Sequence, residues 1–463
     1  MKKSQIIGAV LALGVLFGMT LVPESIGLSR AGIHTIGVLI ALILALVTEP
    51  IPIGITCILG IPLCVIFGVS PSVSAALSGY TNHILFFILV SFAISEAVAR
   101  VPLSQRLLAF LIRVFGTRIR RILLAIMVCA ATLSSIMSNV ATTAMLMSVV
   151  IRFLSIYEDQ EQRRRSGRTF MIALPIASMI GGMITPAGSP LNLLGMDFLI
   201  QAGHQVTFLQ WMVIGIPVSV VCLLFAWLFI CRVFPPQEVP EERVLAYVRD
   251  MDIPRRMDFR ERYVLVLVLI LFILWILSSW FPVLNITVVG IVGFAFLFLP
   301  KVEILTWREF TDTVSWSSFF LVGTMMTLGG ALTENGVSHW LVGLLFQSAP
   351  DAMPVWLITL VISLVVFVLL IPIPIGPALI SMLGAPFLEM AEVWGVSPVC
   401  LIMPLILCAS NCYLLPLDTV PLLTYGTGYY KMTDMPRVSV AIQLFLALCL
   451  AIWLPISLGL IGI

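Results

Sequence analysis

Two apolar stretches in each half of this chain are interrupted by polar residues, glycine and proline. The interruptions are Ser138–Val140 and Thr185–Asn192 in the first half, and Pro372–Pro377 and Leu415–Pro421 in the second. Inside a bilayer, broken backbone is tolerated only where protein buries it or where it lines a water-filled cavity. Breaks at corresponding places in two halves predict the binding site of a membrane transporter.

The composition supports a membrane protein. Of 463 residues, 60% are hydrophobic and only 10% are charged, and the mean hydropathy is +1.13. A soluble domain carries about 25% charged residues. Many apolar runs have the roughly 20 residues that a membrane-spanning helix needs. We therefore predict an all-α polytopic membrane protein whose first apolar run, after Lys2 and Lys3, is a retained helix and not a cleaved signal peptide.

The apolar runs predict about eleven transmembrane helices and two re-entrant hairpins. The hairpins are placed at 121–152 and 352–391, because their arms are short and their tips are polar or rich in proline. Two further runs, 169–202 and 397–428, are predicted as broken helices, with breaks near 185–192 and 416–421. The remaining spans are predicted at 4–22, 34–50, 53–71, 83–100, 210–232, 262–281, 284–300, 315–333 and 437–461.

The basic residues test this arrangement, because cytoplasmic loops are rich in Lys and Arg. With the N-terminus inside, every one of the 25 basic residues except Arg30 falls on the cytoplasmic side. The charges therefore predict a multi-pass protein of the cytoplasmic (inner) membrane with its C-terminus outside. The net charge of +2 says nothing useful about nucleic acid, because the location of the charges matters more than their sum, and no nucleic-acid partner is expected for such a membrane protein.

The two halves repeat. The runs beginning at Phe86 and Phe319 resemble one another, and each leads to a hairpin, a broken helix and a closing helix. An odd number of crossings in each half makes the repeats inverted. The predicted organisation is an N-terminal helix and loop, a first repeat, a cytoplasmic linker and a second repeat, at 1–33, 34–232, 233–261 and 262–463.

No Lys or Arg lies in the middle of a predicted span, so an anion bound there must be held by neutral groups. Helix N-termini and clustered backbone N–H groups can bind anions, and carbonyl ends can bind Na⁺. Hydroxyl and amide groups surround the predicted breaks, at Ser134, Ser138, Asn139, Thr142, Thr143, Ser189, Asn192, Thr419 and Thr424. This chemistry suits a carboxylate or sulfate, although such residues in membrane helices also serve packing alone.

Asp418 is the only acidic residue in the middle of a predicted span. An ionisable residue at that depth is a functional hypothesis by default, the alternative being a carboxylate that accepts from nearby backbone N–H groups. Asp197 and Glu334 lie near span ends and are predicted to be solvated. The nine cysteines and four histidines are scattered, which argues against a metal centre or cofactor. The absence of a nucleophile–base pair argues against an intramembrane enzyme, and the absence of a filter motif against a channel.

These motifs resemble the divalent anion/Na⁺ symporter family of di- and tricarboxylate and sulfate carriers. The resemblance covers nearly the whole chain and depends on Ser138-Asn139, on the segment from Gly181 to Asn192, and on the segment from Asp418 to Met435. It implies a homodimer in the lipid bilayer, with an elevator-type transport part that binds a small dianion between the hairpin tips and the broken helices.

The resemblance also implies roles for individual residues. The positions that correspond to the family's substrate contacts are held in this sequence by Ser138, Asn139, Val140, Ser189, Pro190, Asn192, Thr419, Val420 and Pro421. Those matching a first Na⁺ site are Ser134, Ser138, Asn139 and Gly188. Na⁺ or H⁺ would be the coupling ion.

The sequence departs from the family at both tips, where the family motif is Ser-Asn-Thr. Val140 replaces the first Thr, and Pro372-Ile373-Pro374 replaces the whole second motif. Neither an Ile side chain nor a Pro nitrogen can donate a hydrogen bond, so a second Na⁺ site of the usual form is not expected.

Three mechanisms fit these departures: dicarboxylate exchange with little Na⁺ dependence, a coupling proton carried by Asp418, and a cation held by Asp418. We favour a secondary active transporter of dicarboxylates such as succinate, malate or fumarate and leave its coupling open; the alternative substrates are sulfate, citrate or another oxyanion. A cation/proton exchanger that uses Asp418 is the alternative in class.

Overall fold

The computed structural model describes residues 3–24, 27–250, 254, 256–281, 283–345 and 353–462. These residues form α-helices, short 3₁₀ turns and loops, with no β-strand among them, which confirms the predicted all-α fold for this part of the chain. Small parts of the predicted N-terminal segment, linker, second hairpin and second repeat lie outside the described residues, at 1, 2, 25, 26, 251–253, 255, 282, 346–352 and 463.

Eleven helices make up the described first half. They are α1 (Lys3–Met19), α2 (Arg30–Thr48), α3 (Ile53–Ile66), α4 (Val73–Ala76), α5 (His83–Ala99), α6 (Leu103–Phe115), α7 (Ile119–Ser134), α8 (Asn139–Phe153), α9 (Gln160–Gly182), α10 (Pro190–Gln201) and α11 (Phe208–Val233).

A short helix in the linker, α12 (Glu241–Arg249), precedes the second half. The helices of that half are α13 (Phe259–Leu277), α14 (Ile286–Phe296), α15 (Trp307–Thr313), α16 (Trp316–Glu334), α17 (Val337–Leu345), α18 (Val355–Leu369), α19 (Gly376–Trp394), α20 (Val399–Ala409), α21 (Thr419–Tyr425) and α22 (Pro436–Ile461). Corresponding helices of the two halves begin about 230 residues apart.

The helix–helix contacts between the two halves occur in matching pairs, in which two helices pack together and so do their counterparts in the opposite halves. Helix α3 packs against α16, and the corresponding pair, α14 and α5, also packs together. Helix α10 packs against α19 and α20, while its counterpart α21 packs against α8 and α9. The closing helices α11 and α22 pack against each other. Each half therefore completes its packing with the other, and each broken helix lies against the tip-bearing helix of the opposite half.

Proline and side-chain caps set the breaks. Helix α9 ends at Gly182, and Pro186 opens a single 3₁₀ turn, Pro186–Gly188. Helix α10 then begins at Pro190. Proline is favourable at the first position of a helix, because the N–H that it lacks would have no acceptor within the helix. The Ser189 side chain accepts from Leu191 N. The second break spans 410–418, and Asp418 caps the start of α21. It lies earlier than the predicted 416–421, because Thr419, Val420 and Pro421 are already helical.

Apolar side chains on α22 form a stripe at four-residue spacing that the protein leaves exposed, comprising Val440, Leu444, Leu448, Ile452, Ile456 and Leu460. Residues four apart share one face of a helix. A 26-residue helix with one buried face and one exposed apolar face suits a boundary between protein and lipid.

The length of individual helices identifies fewer crossings than the charges predict. Four described stretches are long and apolar enough to cross a bilayer, namely Arg30–Thr48, Asn139–Ile156, Phe208–Val233 and Pro436–Ile461. Helices α5 and α6, bent by 66°, form a fifth if they are counted together. The remaining helices are too short, or too polar or charged, to be identified as crossings in this way, so eleven crossings stay a prediction. Asn139–Ile156 contains α8, which the sequence predicts as one arm of a re-entrant hairpin.

Candidate functional site

The connection between α7 and α8 is held to its neighbours by backbone hydrogen bonds. Ser138 N donates to Ser95 Oγ on α5 at 2.9 Å. Thr185 Oγ1, in the break after α9, donates to Ser135 O at 2.5 Å. The Ser138 side chain makes no capping bond to α8, although Ser138 is the N-cap residue. The first tip and the first break are therefore joined by hydrogen bonds, and the Ser138 hydroxyl makes no hydrogen bond to the start of α8.

Gly188 lies where two backbones approach closely. A Cβ added there would lie 2.6 Å from Gly182 O and 2.9 Å from Ser134 O, both backbone atoms that a side-chain rotation cannot move away. Only glycine fits this approach. The 3₁₀ turn thereby brings the Gly188 backbone beside the Ser134 carbonyl at the end of α7.

Asn139 joins the tip to the break and to α9. Its amide group faces the carbonyl oxygens of Gly188 and Ser178, each 3.2 Å away, so its nitrogen is assigned to that side and donates to both. The same nitrogen lies 2.5 Å from Ser134 Oγ. Gly182 makes room for this amide, since a Cβ there would lie 2.5 Å from it. Asn139 is 9% exposed.

The structure thus brings together three of the four residues predicted for the first Na⁺ site, namely Ser134, Asn139 and Gly188, with Ser138 adjacent in the chain. Their carbonyl, hydroxyl and amide groups are neutral oxygen donors of the kind that bind hard cations. Among the described residues no cluster of three or more His, Cys, Asp or Glu side chains exists that could hold a metal ion. Cation binding at this tip would therefore depend on neutral oxygens.

Asn192 stabilises the first break by donating hydrogen bonds to its backbone carbonyls. Its Nδ2 donates to Gly182 O at 2.8 Å and to Thr185 O at 2.9 Å, and Ser410 Oγ lies 3.4 Å from its Oδ1. The residue is fully buried. Because both amide hydrogens are used by backbone carbonyls, this geometry favours a supporting role for Asn192 over the predicted substrate contact. Ser189 is buried and caps α10, and Pro190 begins that helix.

The second tip, between α18 and α19, has a different surface. Ile371 and Pro372 are exposed, and Ile373, Pro374 and Ile375 are half-buried. No residue of this tip offers a hydroxyl or amide side chain. At the first tip Val140, in the position of the family's threonine, is 39% exposed. The hydrogen-bonding side chains near the tips are therefore concentrated in the first half.

The predicted site residues at the start of α21 differ in their solvent exposure. Thr419 is exposed, whereas Val420 and Pro421 are buried. Asp418 is half-buried, and its Oδ1 accepts from Val420 N at 3.0 Å. Tyr430 Oη donates to Pro421 O at 3.0 Å. Asp418 is thus the N-cap residue of α21 in this structure. Capping is the structural alternative to a role in ion coupling.

Sequence reasoning missed a second polar pair, Ser410-Asn411, which lies where α20 ends. Gln443 Nε2 donates to Asn411 O at 3.0 Å, and Asn411 Oδ1 is buried without a hydrogen-bond partner in the described part of the chain. The hydroxyl of Tyr413 is buried and unpartnered in the same sense. The available signal was a Ser-Asn pair inside an apolar run, as at the first tip.

The prediction that Asp197 is solvated is wrong. The residue is 6% exposed, Asn82 Nδ2 donates to its Oδ1 at 3.0 Å, and Gln201 Nε2 donates to its Oδ2 at 2.5 Å. Asn82 caps the start of α5, so this contact joins α5 to α10. A carboxylate with two amide donors can remain buried because the donors replace its hydration. Glu334 is exposed, as predicted.

The sequence profile described as the sodium:sulfate symporter transmembrane region matches residues 3–460. This chain belongs to that family. The predicted resemblance to divalent anion/Na⁺ symporters is thereby confirmed, and the class is one of membrane transporters and not of enzymes.

Two relatives are similar to this transporter over nearly their full lengths. The sodium-dependent dicarboxylate transporter SdcS of Staphylococcus saprophyticus is 26% identical over 484 aligned residues, covering 95% of this chain and 89% of that protein. The protein of the same name from Staphylococcus aureus strain NCTC 8325 is 25% identical over 491 residues, covering 99% of this chain and 93% of that protein. The coverage extends across both tips and both breaks of this transporter.

Proposed function

We propose that this transporter carries dicarboxylates of the succinate, malate and fumarate class across the cytoplasmic membrane. The proposal rests on the close approach of Asn139, Ser134 and Gly188. There, neutral donor groups and carbonyl oxygens lie together between the first tip and the first broken helix. The relatives named as sodium-dependent dicarboxylate transporters support this substrate class and make Na⁺ the first coupling ion to test.

The substrate would be bound by neutral groups. In the first half Ser138 has an unused hydroxyl, and Ser189 lies at the start of α10. Thr419 is exposed at the start of α21 in the second half. Helix N-termini and hydroxyl donors suit carboxylate oxygens. Val420 and Pro421 would complete the wall of the site, together with Val140 and Pro190.

The ion coupling would be asymmetric. A first Na⁺ would lie at Ser134, Ser138, Asn139 and Gly188, which requires the Asn139 amide to turn its oxygen toward the ion. The second tip has no equivalent side chains, so a second Na⁺ of the usual form is absent from the proposed mechanism. Dicarboxylate exchange, or coupling through a proton or cation at Asp418, takes its place.

The larger architecture follows the charges and the repeated contacts. The N-terminus lies inside and the C-terminus outside, with inverted repeats at 34–232 and 262–463 joined by the linker 233–261. The hairpins at 121–152 and 352–391 are re-entrant, and the transport part moves as an elevator within a homodimer. The matching packing of α10 against α19 and α20, and of α21 against α8 and α9, supports the repeat.

Labelled succinate uptake into proteoliposomes tests this function. Four conditions are compared, with and without internal succinate and with and without external Na⁺. We expect uptake above that of protein-free liposomes, and acceleration by internal succinate identifies exchange. Competition by unlabelled malate, fumarate, citrate and sulfate then defines the substrate class. No dicarboxylate flux under any of the four conditions would contradict the proposal.

A cation/proton exchanger is the second candidate, because Asp418 is half-buried beside a break. A cation/proton exchanger would move protons in response to a Na⁺ gradient in liposomes that contain no dicarboxylate, whereas a dicarboxylate carrier would not. A pH-sensitive dye trapped inside the same proteoliposomes measures this directly.

A further inference from the structure

A cavity of about 550 Å³ lies between the beginning of α9 and the loop 426–435 that leads into α22. Both segments belong to the face that the arginines predict to be cytoplasmic. The cavity is separate from the tips and breaks described above, since none of the residues assigned to the Na⁺ or substrate contacts lines it. Its volume is in the range of small-molecule sites.

Positive side chains dominate the cavity wall. Two acidic residues, Glu161 and Asp434, face five basic ones, which are Arg164, Arg165, Arg168, Lys431 and Arg437. Glu161 is paired with Arg165 at 2.9 Å. Asp434 accepts from Lys431 N at 2.9 Å and lies 3.5 Å from the Arg437 guanidinium. The two acids are therefore occupied, and an excess of positive charge remains.

Donor groups in this wall lack partners of their own. The Nε of Arg168 is buried and has no hydrogen-bond acceptor in the described structure, and its Nη1 is 4.0 Å from Asp434, beyond hydrogen-bond distance. The guanidinium lies over the Phe234 ring, 4.3 Å from the ring centre, which fixes its plane. Arg164 forms no ion pair within the described residues. A multivalent oxyanion would satisfy these donors.

The first turn of α22 adds to the same field. This 26-residue helix begins at Pro436, and no side chain caps its start. The positive end of its dipole therefore lies at the cavity, where Asp434, one residue before the N-cap Met435, partly offsets it.

The loop that closes the cavity is held in place by close packing. A Cβ added at Gly167 on α9 would lie 2.1 Å from Tyr429 Cδ1, so the Tyr429 ring rests directly on the α9 backbone. Tyr429 and its neighbour Tyr430 both line the cavity. The Tyr430 hydroxyl donates to Pro421 O at 3.0 Å and lies 3.1 Å from Thr424 Oγ1, which connects this wall to α21.

We infer that this cavity is a second anion-binding site, which takes a phosphate group and acts on the transport site through the contact between Tyr430 and Pro421. Guanidinium groups bind phosphate oxygens in bidentate geometry. The phosphate can come from a soluble phosphorylated compound or from the headgroup of an anionic lipid. The phosphate binding goes beyond the proposed transport function and does not depend on it, whereas the coupling rests on that function because it is measured through succinate transport.

Binding to purified full-length protein in phosphatidylcholine nanodiscs tests the site, with two arms that distinguish the sources. Inorganic pyrophosphate is titrated in one arm and thermal stability is followed. In the other, part of the phosphatidylcholine is replaced by phosphatidylglycerol. We expect a shift in at least one arm, and we expect Arg164→Gln/Arg437→Gln to weaken the apparent affinity roughly ten-fold or more in the arm that responds.

Two controls make the result specific. Arg260→Gln removes an exposed arginine of the same predicted face outside the cavity and should leave binding as in the wild type. Asn139→Ala alters the first tip and should also leave it unchanged. No shift in either arm, equal weakening by Arg260→Gln, or loss of the shift in Asn139→Ala would each overturn the proposal.

The connection to α21 has its own readout. Tyr430→Phe removes the hydroxyl that donates to Pro421 O and keeps the ring. We expect this variant to retain the thermal shift and to lose any change that pyrophosphate or phosphatidylglycerol produces in the succinate KM. A wild-type protein whose KM does not respond to the ligand that it binds would contradict the coupling.

Discussion

The guanidinium of Arg106 on α6 is bonded to the carboxylate of Glu261 at the start of α13. Arg106 Nη2 lies 3.0 Å from Glu261 Oε2, and Nε contacts Oε1. Glu261 is 1% exposed and Arg106 19%. This pair joins the amphipathic helix that follows α5 to the first helix of the second half, so the two halves are connected by charge as well as by packing.

Breaking this pair should destabilise the fold. Glu261→Gln leaves a half-buried guanidinium without its counter-charge, and removal of one partner of a buried pair costs about 3–5 kcal/mol, an upper figure here because Arg106 retains some solvent. Thermal unfolding of the detergent-solubilised protein measures the change. Glu158→Gln, which removes an exposed partner of Arg243, should cost less than about 1 kcal/mol. Equal effects of the two variants would contradict the buried role.

Asn139→Ala should abolish succinate uptake and leave a folded protein. The substitution removes the amide that reaches Gly188 O and Ser178 O, so the tip loses its connection to the first break. Uptake into proteoliposomes and gel filtration of the same preparation measure both parts. Thr132→Ala, at an exposed position on the same hairpin, is the matched control. Near-normal uptake by Asn139→Ala would remove this residue from the site.

Gly188→Ala should also impair transport, for a steric reason. The new methyl group would meet two backbone oxygens, and overpacking of this kind costs about 1–3 kcal/mol. The 3₁₀ turn would shift and move the Gly188 carbonyl away from the Asn139 amide. Gly459→Ala places a methyl group in open space on α22 and serves as the control. Dependence of uptake on Na⁺ is the second measurement, because displacement of this carbonyl should raise the Na⁺ concentration needed for half-maximal rate.

The sequence predicts the helices well because their signals are local. Apolar runs of the right length mark the helices, and proline marks the breaks, so the predicted break near 185–192 lies close to the observed one at 183–189. The contact between Asn139 and Gly188 could not be predicted in this way, since it joins residues 49 positions apart through the packing of α7 on α9.

Two predictions are wrong for different reasons. The position of Asp197 near the end of a span predicts a solvated side chain, yet its donor Asn82 is 115 residues away in sequence, and no local pattern reports such a partner. The prolines of Leu415–Pro421 predict a break near 416–421, whereas the chain leaves α20 at Ser410 and Asp418 restarts the helix. There the local signals, Ser410-Asn411 and the capping residue Asp418, mark the break better than the prolines do.

Asp418→Asn should flatten the pH dependence of uptake if the carboxyl group carries a coupling proton. Asparagine is as good an N-cap as aspartate, so the bond to Val420 N can be retained and α21 should still form. A change in the pH profile would then report the loss of the titrating group and not the loss of the cap. Initial uptake rates between roughly pH 5 and pH 8, the range in which proteins tend to be most stable, measure the profile. An unchanged profile would assign Asp418 to capping alone.

Glu309 should contribute to stability at neutral pH and lose this contribution in strong acid. Its pKa lies at about 2, below its ordinary value of 4.5, because the side chain and backbone of Thr306 donate to it and Arg100 lies 2.6 Å away. A lowered pKa stabilises the folded state above pH 4.5, and this stability disappears as the pH falls toward 2.

The measurement is the difference in melting temperature between wild type and Glu309→Gln as a function of pH. We expect the wild type to be more stable at pH 7 and the difference to shrink as the pH falls below 4.5. Asp312→Asn, an exposed carboxylate on the same short helix, should show no such difference. A difference that grew with acidity would contradict the assigned cause.

The exposed Ile-Pro surface of the second tip affects how this sequence can vary. Pro372 and Pro374 have no N–H, and Ile373 has only an alkyl side chain, so shape-preserving substitutions there remove no side-chain hydrogen bond. At the first tip, most changes at Ser134 or Asn139 remove one. Mutational tolerance should therefore be greater at Pro372, Ile373 and Pro374 of the second tip than at Ser134 and Asn139 of the first.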